Sequence, residues 1–365
     1  MVEHRIYAWH ESKSSGITKP RNTSFNIKGV ELEISDWRAG DTTDYLIEEN
    51  FLTVPSNQHI NKEHTIVVES DGSVDHELII KACGNRKLFE IIKQLEFYYH
   101  DECNNQHGTS CHIHLNRKHL RSKGISETSI FKAVEFLYPI LFRISGRDFH
   151  STEWCKSYIL HSQYHDNEEE EFDLLKIANK VDDIEYEDVE YCGRYYATNT
   201  ENRNTIELRI FSNYYNFNSE YIKLYIELCD FIIDIAEIMG EEESYYSKYD
   251  ELITMIKEFF GKRSRKRLFE KHNLDLFLLP ANERKRRRFE ELKNYLDNRI
   301  QTFENRSYEN ELQRLMSIIR IFRDLNSKYN IDDFNIKFKS NMTDEDILEI
   351  VGNIFAKIDE EIENL

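Results

Sequence analysis

The chain has 365 residues and a formal net charge of −19, from 48 basic and 67 acidic residues. Its hydrophobic content of 40% is enough for a folded core, and its 4 prolines and 12 glycines exclude a collagen-like or linker-dominated chain. The acidic balance argues against a protein whose whole surface binds nucleic acid, although a local basic patch is compatible with it.

The sequence contains no apolar run near the roughly 20 residues that cross a bilayer. Its first residues lack the apolar core of a signal peptide. The six cysteines are scattered and form no C-x-x-C pair, which is typical of reduced thiols. We therefore expect a cytoplasmic protein with no membrane partner.

Strand-like and helical patterns alternate over the first two thirds of the chain. Period-two alternation predicts strands at residues 26–35, 65–69, 76–80, 111–115, 191–199 and 205–211. Helical spacing of apolar residues predicts helices at residues 86–102, 126–144 and 219–239. An acidic insertion at about residues 165–190 is interpreted most simply as a solvated surface segment. The alternative interpretation is a lid or a segment that binds a partner.

The remaining residues, 241–365, read as helix throughout, so the sequence predicts a mixed domain at 1–240 followed by an all-helical domain. Two basic runs begin there, at Lys262 (KRSRKR, residues 262–267) and at Arg284 (RKRRR, residues 284–288). One interpretation is a solvated helix face paired with nearby carboxylates. The other is a contact with nucleic acid, nucleotide phosphates or an acidic partner.

Three of the predicted strands carry polar residues two positions apart. The pairs are Glu31 with Glu33, His112 with His114, and Glu207 with Arg209. Because residues i and i+2 of a strand share a face, each pair lies on one face of a sheet and its apolar neighbours lie on the other. Glu77 adds a carboxylate on a fourth strand.

Carboxylates that share a face repel each other unless a cation neutralises them. Mg²⁺ or Mn²⁺ binds carboxylate oxygens and tolerates an imidazole, and an arginine favours an anion such as phosphate. The three pairs together therefore indicate a site for metal and nucleotide phosphates, although the sequence has neither a P-loop nor a glycine-rich kinase loop. Each pair alone is more often a water-facing strand or an ordinary ion pair.

Four motifs resemble the amidoligase family in order and approximate spacing. They are GVELE (29–33), ESDGSVDHEL (69–78), GTSCHIHL (108–115) and RYYATN…NTIELRIF (194–211), and the resemblance covers roughly residues 25–240. It implies an α+β fold with a curved, mostly antiparallel sheet of glutamine synthetase-like type and helices on its outer face. It also implies an ATP-dependent ligase that phosphorylates a carboxylate, so that an amine displaces phosphate and forms an amide.

The resemblance further implies roles for individual residues. Two or three Mg²⁺ or Mn²⁺ ions would bind Glu31, Glu33, Glu77, His112 and Glu207. ATP would lie against His114, Arg209 and Asn199. The catalytic residues would be Glu207, Arg209 and Arg194. Residues 79–83, shortly after Glu77, read IIKAC where the family has a Ser-Pro step. The substrate class therefore stays open among small molecules, peptides and protein side chains.

Two other classes of protein fit parts of the sequence. A zinc-binding protein would use the closely spaced Cys103, His107, Cys111 and His114, since nitrogen and sulfur ligands suit Zn²⁺. A non-catalytic interaction protein would use a ligase-like sheet as a scaffold, with its acidic insertion and basic helices binding a partner. The second alternative predicts no nucleotide turnover even with metal.

Overall fold

The computed structural model describes residues 25–34, 53–55, 66–69, 76–102, 110–146, 155–160, 173–190, 192–193, 195–212, 218–240 and 242–279, and scattered residues beyond them. The chain divides into two compact units, residues 1–278 and 279–365. In the second unit, residue 279 is a bend and the other described residues (283, 286, 287, 290, 293, 294, 353 and 356) are helical. The strands and the helices named below belong to the first unit.

In the part of the chain that the structure describes, seven strands form one sheet with the spatial order β2-β3-β4-β1-β5-β7-β6. They are β1 (Lys28–Ile34), β2 (Thr53–Pro55), β3 (Ile66–Glu69), β4 (His76–Cys83), β5 (Cys111–Asn116), β6 (Thr198–Asn199) and β7 (Thr205–Leu208). Every neighbouring pair is antiparallel except β2 and β3. The predicted α+β class with a mostly antiparallel sheet is therefore confirmed.

Eight α-helices occur in the described part of this unit. They are α1 (Asn85–Glu102), α2 (Arg117–Ser122), α3 (Glu127–Ser145), α4 (Leu174–Asp182), α5 (Tyr186–Glu190), α6 (Ser219–Met239), α7 (Tyr249–Gly261) and α8 (Arg263–Lys271). A 3₁₀ turn follows at Leu274–Leu278. Among these described helices, none combines the length and apolar character that a bilayer span requires.

Short polar side chains set the ends of the two most apolar helices. Ser126 caps α3, where its hydroxyl accepts the N–H of Ser129, and Asn218 caps α6 in the same way. Gly146 ends α3 at φ 68°, a left-handed conformation in which a Cβ would be strained. These ends agree with the predicted helices.

One face of the sheet is apolar and forms the core with the helices. Alternate residues of the central strands are buried there, namely Val30, Leu32, Ile34, Ile113, Leu115, Ile206 and Leu208. Helix α1 contacts β4, α6 contacts β5, and α3 packs on α6. The predicted apolar row behind the polar pairs is confirmed, and it leaves the polar residues to the opposite face.

The acidic segment at 165–190 is predicted to be a solvated surface insertion. For its described part, this prediction is wrong. Helix α4 buries Leu174, Ile177, Ala178 and Val181 and packs on α3. Asp173 caps the helix by accepting the N–H of Leu175 at 2.9 Å. The apolar stripe covers few residues and its acidic neighbours obscure it in the sequence. Residues 161–172 lie outside the described residues.

Helices α7 and α8, which follow Gly240, belong to the same compact unit as the sheet. Phe259 of α7 stacks on Phe231 of α6 with ring centroids 4.4 Å apart. After α8, Nε2 of His272 lies 2.9 Å from the Tyr221 hydroxyl on α6. The boundary between the compact units therefore follows Leu278, later in the chain than the predicted change at residue 240.

Candidate metal and phosphate site

The polar face of the sheet brings together the two histidines and two of the glutamates. Register places His112 of β5 opposite Glu31 of β1, and His114 opposite Glu207 of β7. Directly opposite residues of an antiparallel pair share a face. The strands that carry these residues are adjacent in the sheet but far apart in the sequence, and the fold alone makes them neighbours.

A row of acidic residues crosses the neighbouring strands. Glu33 of β1 is directly opposite Glu77 of β4, and Glu77 is also directly opposite Glu69 of β3. Like charges at directly opposite positions destabilise a sheet. A divalent cation bound between Glu33 and Glu77 would remove that repulsion.

His112 lies between the two groups of carboxylates. Its Nδ1 is 3.8 Å from Oε2 of Glu31 and 3.5 Å from Oε1 of Glu207, and its Nε2 is 3.7 Å from Oε1 of Glu33. These separations are too long for hydrogen bonds. Candidate ligand atoms within 4.8 Å of one another form two groups, Glu31–His112–Glu207 and Glu33–Glu77–His112. The structure thus brings together all five predicted metal ligands.

His114 is held by protein groups at both ring nitrogens. Its Nε2 lies 3.0 Å from Oε1 of Glu31, and its Nδ1 lies 3.2 Å from the hydroxyl of Thr205. The ring is almost completely buried. In this arrangement, His114 lies against the side chain of Glu31, and its predicted contact with nucleotide phosphates stays a prediction.

Both oxygens of the Glu207 carboxylate have partners within the protein. Its Oε1 contacts the guanidinium of Arg209, which follows it by two residues along the chain. Its Oε2 accepts hydrogen bonds from the side-chain amides of Asn199 at 2.8 Å and Asn202 at 3.0 Å. Asn199 also accepts the N–H of Glu201 at 3.0 Å, so both ends of its amide are engaged within the protein. Asn199 therefore positions Glu207, and its predicted contact with ATP stays a prediction.

Asn202 belongs to the site although the sequence does not single it out. It lies in the polar turn between β6 and β7 and resembles any other turn asparagine. Only the antiparallel return of β7 brings its amide to Glu207. The absence of a motif around it means that no sequence signal could have identified it.

Two of the carboxyl groups have lowered pKa values despite their burial. Burial alone would raise the pKa of Glu31, but the nearby His114 and His112 hold it well below its usual value. Burial also acts to raise the pKa of Glu207, and Arg209 with the two histidines outweighs that effect and lowers it. Both groups are therefore anionic at neutral pH, as metal ligands must be.

The predicted zinc set is not brought together by its described members. Cys111 is fully buried in the apolar core, on the opposite face of β5 from His114. Cys103 and His107 lie outside the described residues, and so does Arg194, the remaining predicted catalytic residue.

The first basic run is partly neutralised within the chain. Nε of Arg265 lies 2.7 Å from Oε2 of Glu227, and Nη2 of Arg267 lies 3.2 Å from Oε2 of Glu220. These pairs join α8 to α6. Of the second run, residues 284–288, only Arg286 and Arg287 are described, and both are helical.

No protein-family model, curated protein or solved structure matches the chain. The arrangement of the residues themselves therefore carries the functional argument. Its donor set of carboxylate oxygens with one shared imidazole suits Mg²⁺ or Mn²⁺ better than a thiolate-seeking metal.

Proposed function

We propose that the chain is an ATP- and Mg²⁺- or Mn²⁺-dependent carboxylate–amine ligase that forms an amide bond through an acyl phosphate. One observation carries the proposal: five candidate metal ligands and an arginine meet on a single face of the sheet. They are Glu31, Glu33, Glu77, His112, Glu207 and Arg209. Resemblance to the amidoligases supports the same assignment, because the family motifs supply these residues.

The residues divide naturally between two ions. Glu31, Glu207 and His112 would hold one ion, and Glu33 with Glu77 would hold the other. When bound, such ions neutralise nucleotide oxygens and bring the substrate carboxylate close to the terminal phosphate. The lowered pKa values of Glu31 and Glu207 keep both ligands ionised without help from the metal.

Arg209 would act on the phosphoryl group during transfer. Its planar guanidinium presents paired N–H donors that match phosphate oxygens. It follows Glu207 by two residues, so it lies beside a metal ligand and at the same edge of the site. A preorganised cation at this point stabilises the charge that develops as the terminal phosphate moves.

The reaction would proceed in two displacements. A carboxylate oxygen attacks the terminal phosphorus of ATP, the bond to the bridging oxygen breaks, and ADP leaves. The amine nitrogen then attacks the acyl carbon, phosphate leaves, and the nitrogen loses a proton to give the amide. The products are ADP, phosphate and an amide, whereas adenylate chemistry would give AMP and pyrophosphate.

Product analysis tests the proposal. The protein would be incubated with ATP, Mg²⁺ and a panel of amino acids, peptides and amines, and the nucleotides would be separated by chromatography. We expect ADP and phosphate only when both a carboxylate and an amine are present. We expect His112→Ala to lower the rate at least roughly 100-fold, because even outer-shell partners of a metal contribute 10–100-fold. His119→Ala, on α2 and away from the sheet face, is the matched control.

Three results would contradict the ligase proposal in different ways. Formation of AMP would exclude transfer of the terminal phosphoryl group. ADP release at the same rate without an amine would identify an ATPase. Absence of turnover with every pair, despite binding of metal and ATP, would favour the non-catalytic interaction protein.

A further inference from the structure

The carboxylate of Glu207 is held differently at its two oxygens. Neutral amide groups hold Oε2, with donors on Asn199 at 2.8 Å and Asn202 at 3.0 Å. The charged Arg209 meets Oε1, which also lies 3.5 Å from Nδ1 of His112. Oε2 is therefore held by uncharged groups that a metal ion would not repel. Oε1 faces the candidate metal ligands.

Arg209 occupies the oxygen that a metal would need. A guanidinium and a divalent cation repel each other, so each weakens the binding of the other at Oε1 of Glu207. The side chain of Arg209 is only 16% exposed, and a cation with so little water around it needs a counter-ion. A phosphate nearby would therefore lower the cost of moving Arg209 away from Glu207.

We propose that Glu207 exchanges its Oε1 between Arg209 and a divalent cation, while Asn199 and Asn202 hold Oε2 fixed. Metal binding releases the guanidinium of Arg209, and a ligand phosphate replaces the carboxylate as its counter-ion. Metal and phosphate therefore bind with positive coupling, and each raises the affinity of the other by the same factor. This inference rests on the proposed function for the identity of the two ligands, but it concerns binding and not turnover.

The test is a Mn²⁺ titration followed by electron paramagnetic resonance, with and without millimolar inorganic phosphate. Phosphate should tighten Mn²⁺ binding to the unmodified protein, after correction for Mn²⁺ complexed by phosphate in solution. Arg209→Gln should bind Mn²⁺ about tenfold more tightly than the unmodified protein without phosphate, because the competing cation is gone. The same variant should show no further gain from phosphate.

Arg265→Gln is the matched control. Arg265 is also mostly buried, at 12% exposure, and pairs with Glu227 at 2.7 Å, so both variants remove one positive charge and break one ion pair. It should behave as the unmodified protein does. The variant Glu207→Gln shows which part of the Mn²⁺ binding depends on Glu207.

The outcomes separate this inference from the proposed function. Mn²⁺ binding that depends on Glu207 but weakens in Arg209→Gln overturns the exchange and leaves the metal site standing. The same conclusion follows if phosphate leaves Mn²⁺ affinity of the unmodified protein unchanged, a result that needs no variant to fold. Absence of any Mn²⁺ binding that depends on Glu207 overturns the proposed function and the exchange together.

Asn202 is the positioning residue in this proposal. Asn202→Ala should lower Mn²⁺ affinity by roughly tenfold and reduce the gain from phosphate, because the carboxylate can then turn away from the metal. A merely structural role would lower the melting temperature without changing the ratio of Mn²⁺ affinities with and without phosphate. An unchanged ratio would overturn the positioning role.

Discussion

Glu135 is a buried carboxyl group on α3, outside the polar face of the sheet. One of its oxygens, Oε2, accepts the hydroxyl of Ser157 at 2.5 Å and the N–H of Ile159 at 3.2 Å. Burial outweighs these hydrogen bonds and raises the pKa of Glu135 to about 7. Because the pKa of the unfolded chain is near the ordinary 4.5, the folded state binds more protons between these two values. The contribution of Glu135 to stability therefore falls as the pH rises from about 4.5 to about 7.

We predict that Glu135→Gln removes this pH dependence. The variant should gain stability relative to the unmodified protein between pH 5 and pH 8, by at most about 3 kcal/mol. Urea unfolding at the two pH values measures the difference. Glu90→Gln is the control, because the Glu90 side chain is 52% exposed. An equal effect of Glu135→Gln at both pH values would show that the carboxyl does not titrate in this range.

Substitution of Glu33 tests whether this residue is a metal ligand or part of a structural ion pair. It is directly opposite Glu77, so Glu33→Gln removes a like-charge pair from the metal-free sheet. We predict that the metal-free variant is unchanged or up to about 1 kcal/mol more stable, while its Mn²⁺ affinity falls. Thermal unfolding with and without Mn²⁺ measures both effects. Destabilisation of the metal-free variant would instead show that Glu33 is part of a structural ion pair. The control variant is Glu251→Gln on α7.

At the scale of the elements, a buried lysine joins β1, α1 and α6. The ammonium of Lys28 donates to Asp230 at 2.6 Å, to Asn85 at 3.0 Å and to Asn26 at 3.2 Å. All three of its donors are used, and the side chain is fully buried. Asn85 also donates to the second oxygen of Asp230. This network sets how the first residue of the strand meets the two helices.

We predict that Lys28→Met lowers the free energy of unfolding by roughly 2–4 kcal/mol. This is less than the loss from a fully buried pair, since Asp230 is 31% exposed. Adding Asp230→Asn should recover part of the loss, and a double-mutant cycle from urea unfolding measures the coupling. Lys87→Met, which breaks an exposed pair with Glu90 at 3.7 Å, should cost less than about 1 kcal/mol. Equal costs for the two lysine variants would contradict the role of the network.

Long, periodic elements could be predicted from the sequence, and short ones could not. Helices α1, α3 and α6 have ends that differ from the predicted ones by at most one residue. Strand β2 has only three residues and includes Pro55, so it offers no period-two pattern. The sequence predicts a strand at residues 191–199, but among the described residues of this range only Thr198–Asn199 pairs with β7. In each case the missing information is a tertiary contact.

The same limit applies to the candidate site. Alternation along each strand predicts which residues share a face, because that depends on i and i+2 alone. It cannot predict that β1 lies between β4 and β5, which is what brings Glu33 opposite Glu77 and Glu31 opposite His112. The contact of Asn202 with Glu207 depends on the register of β6 and β7, and no local sequence feature indicates it.

At the scale of the whole molecule, the first compact unit ends at Leu278. A chain cut after residue 278 should therefore keep its Mn²⁺ affinity and its melting temperature. A chain cut after residue 240 loses Phe259 and His272 from the surface of α6. Since each large buried side chain contributes roughly 3–5 kcal/mol, its melting temperature should fall by at least about 10 °C. Equal melting temperatures for the two truncated chains would place the unit boundary earlier in the chain.

The most direct test of the account is anomalous diffraction from crystals grown with Mn²⁺ and a non-hydrolysable ATP analogue. We predict two Mn²⁺ peaks on the polar face, one bound by Glu31, His112 and Glu207 and one bound by Glu33 and Glu77. The terminal phosphate should lie against Arg209, which has left Glu207. Nucleotide and Mn²⁺ bound elsewhere, with Arg209 still on Glu207, would contradict the account.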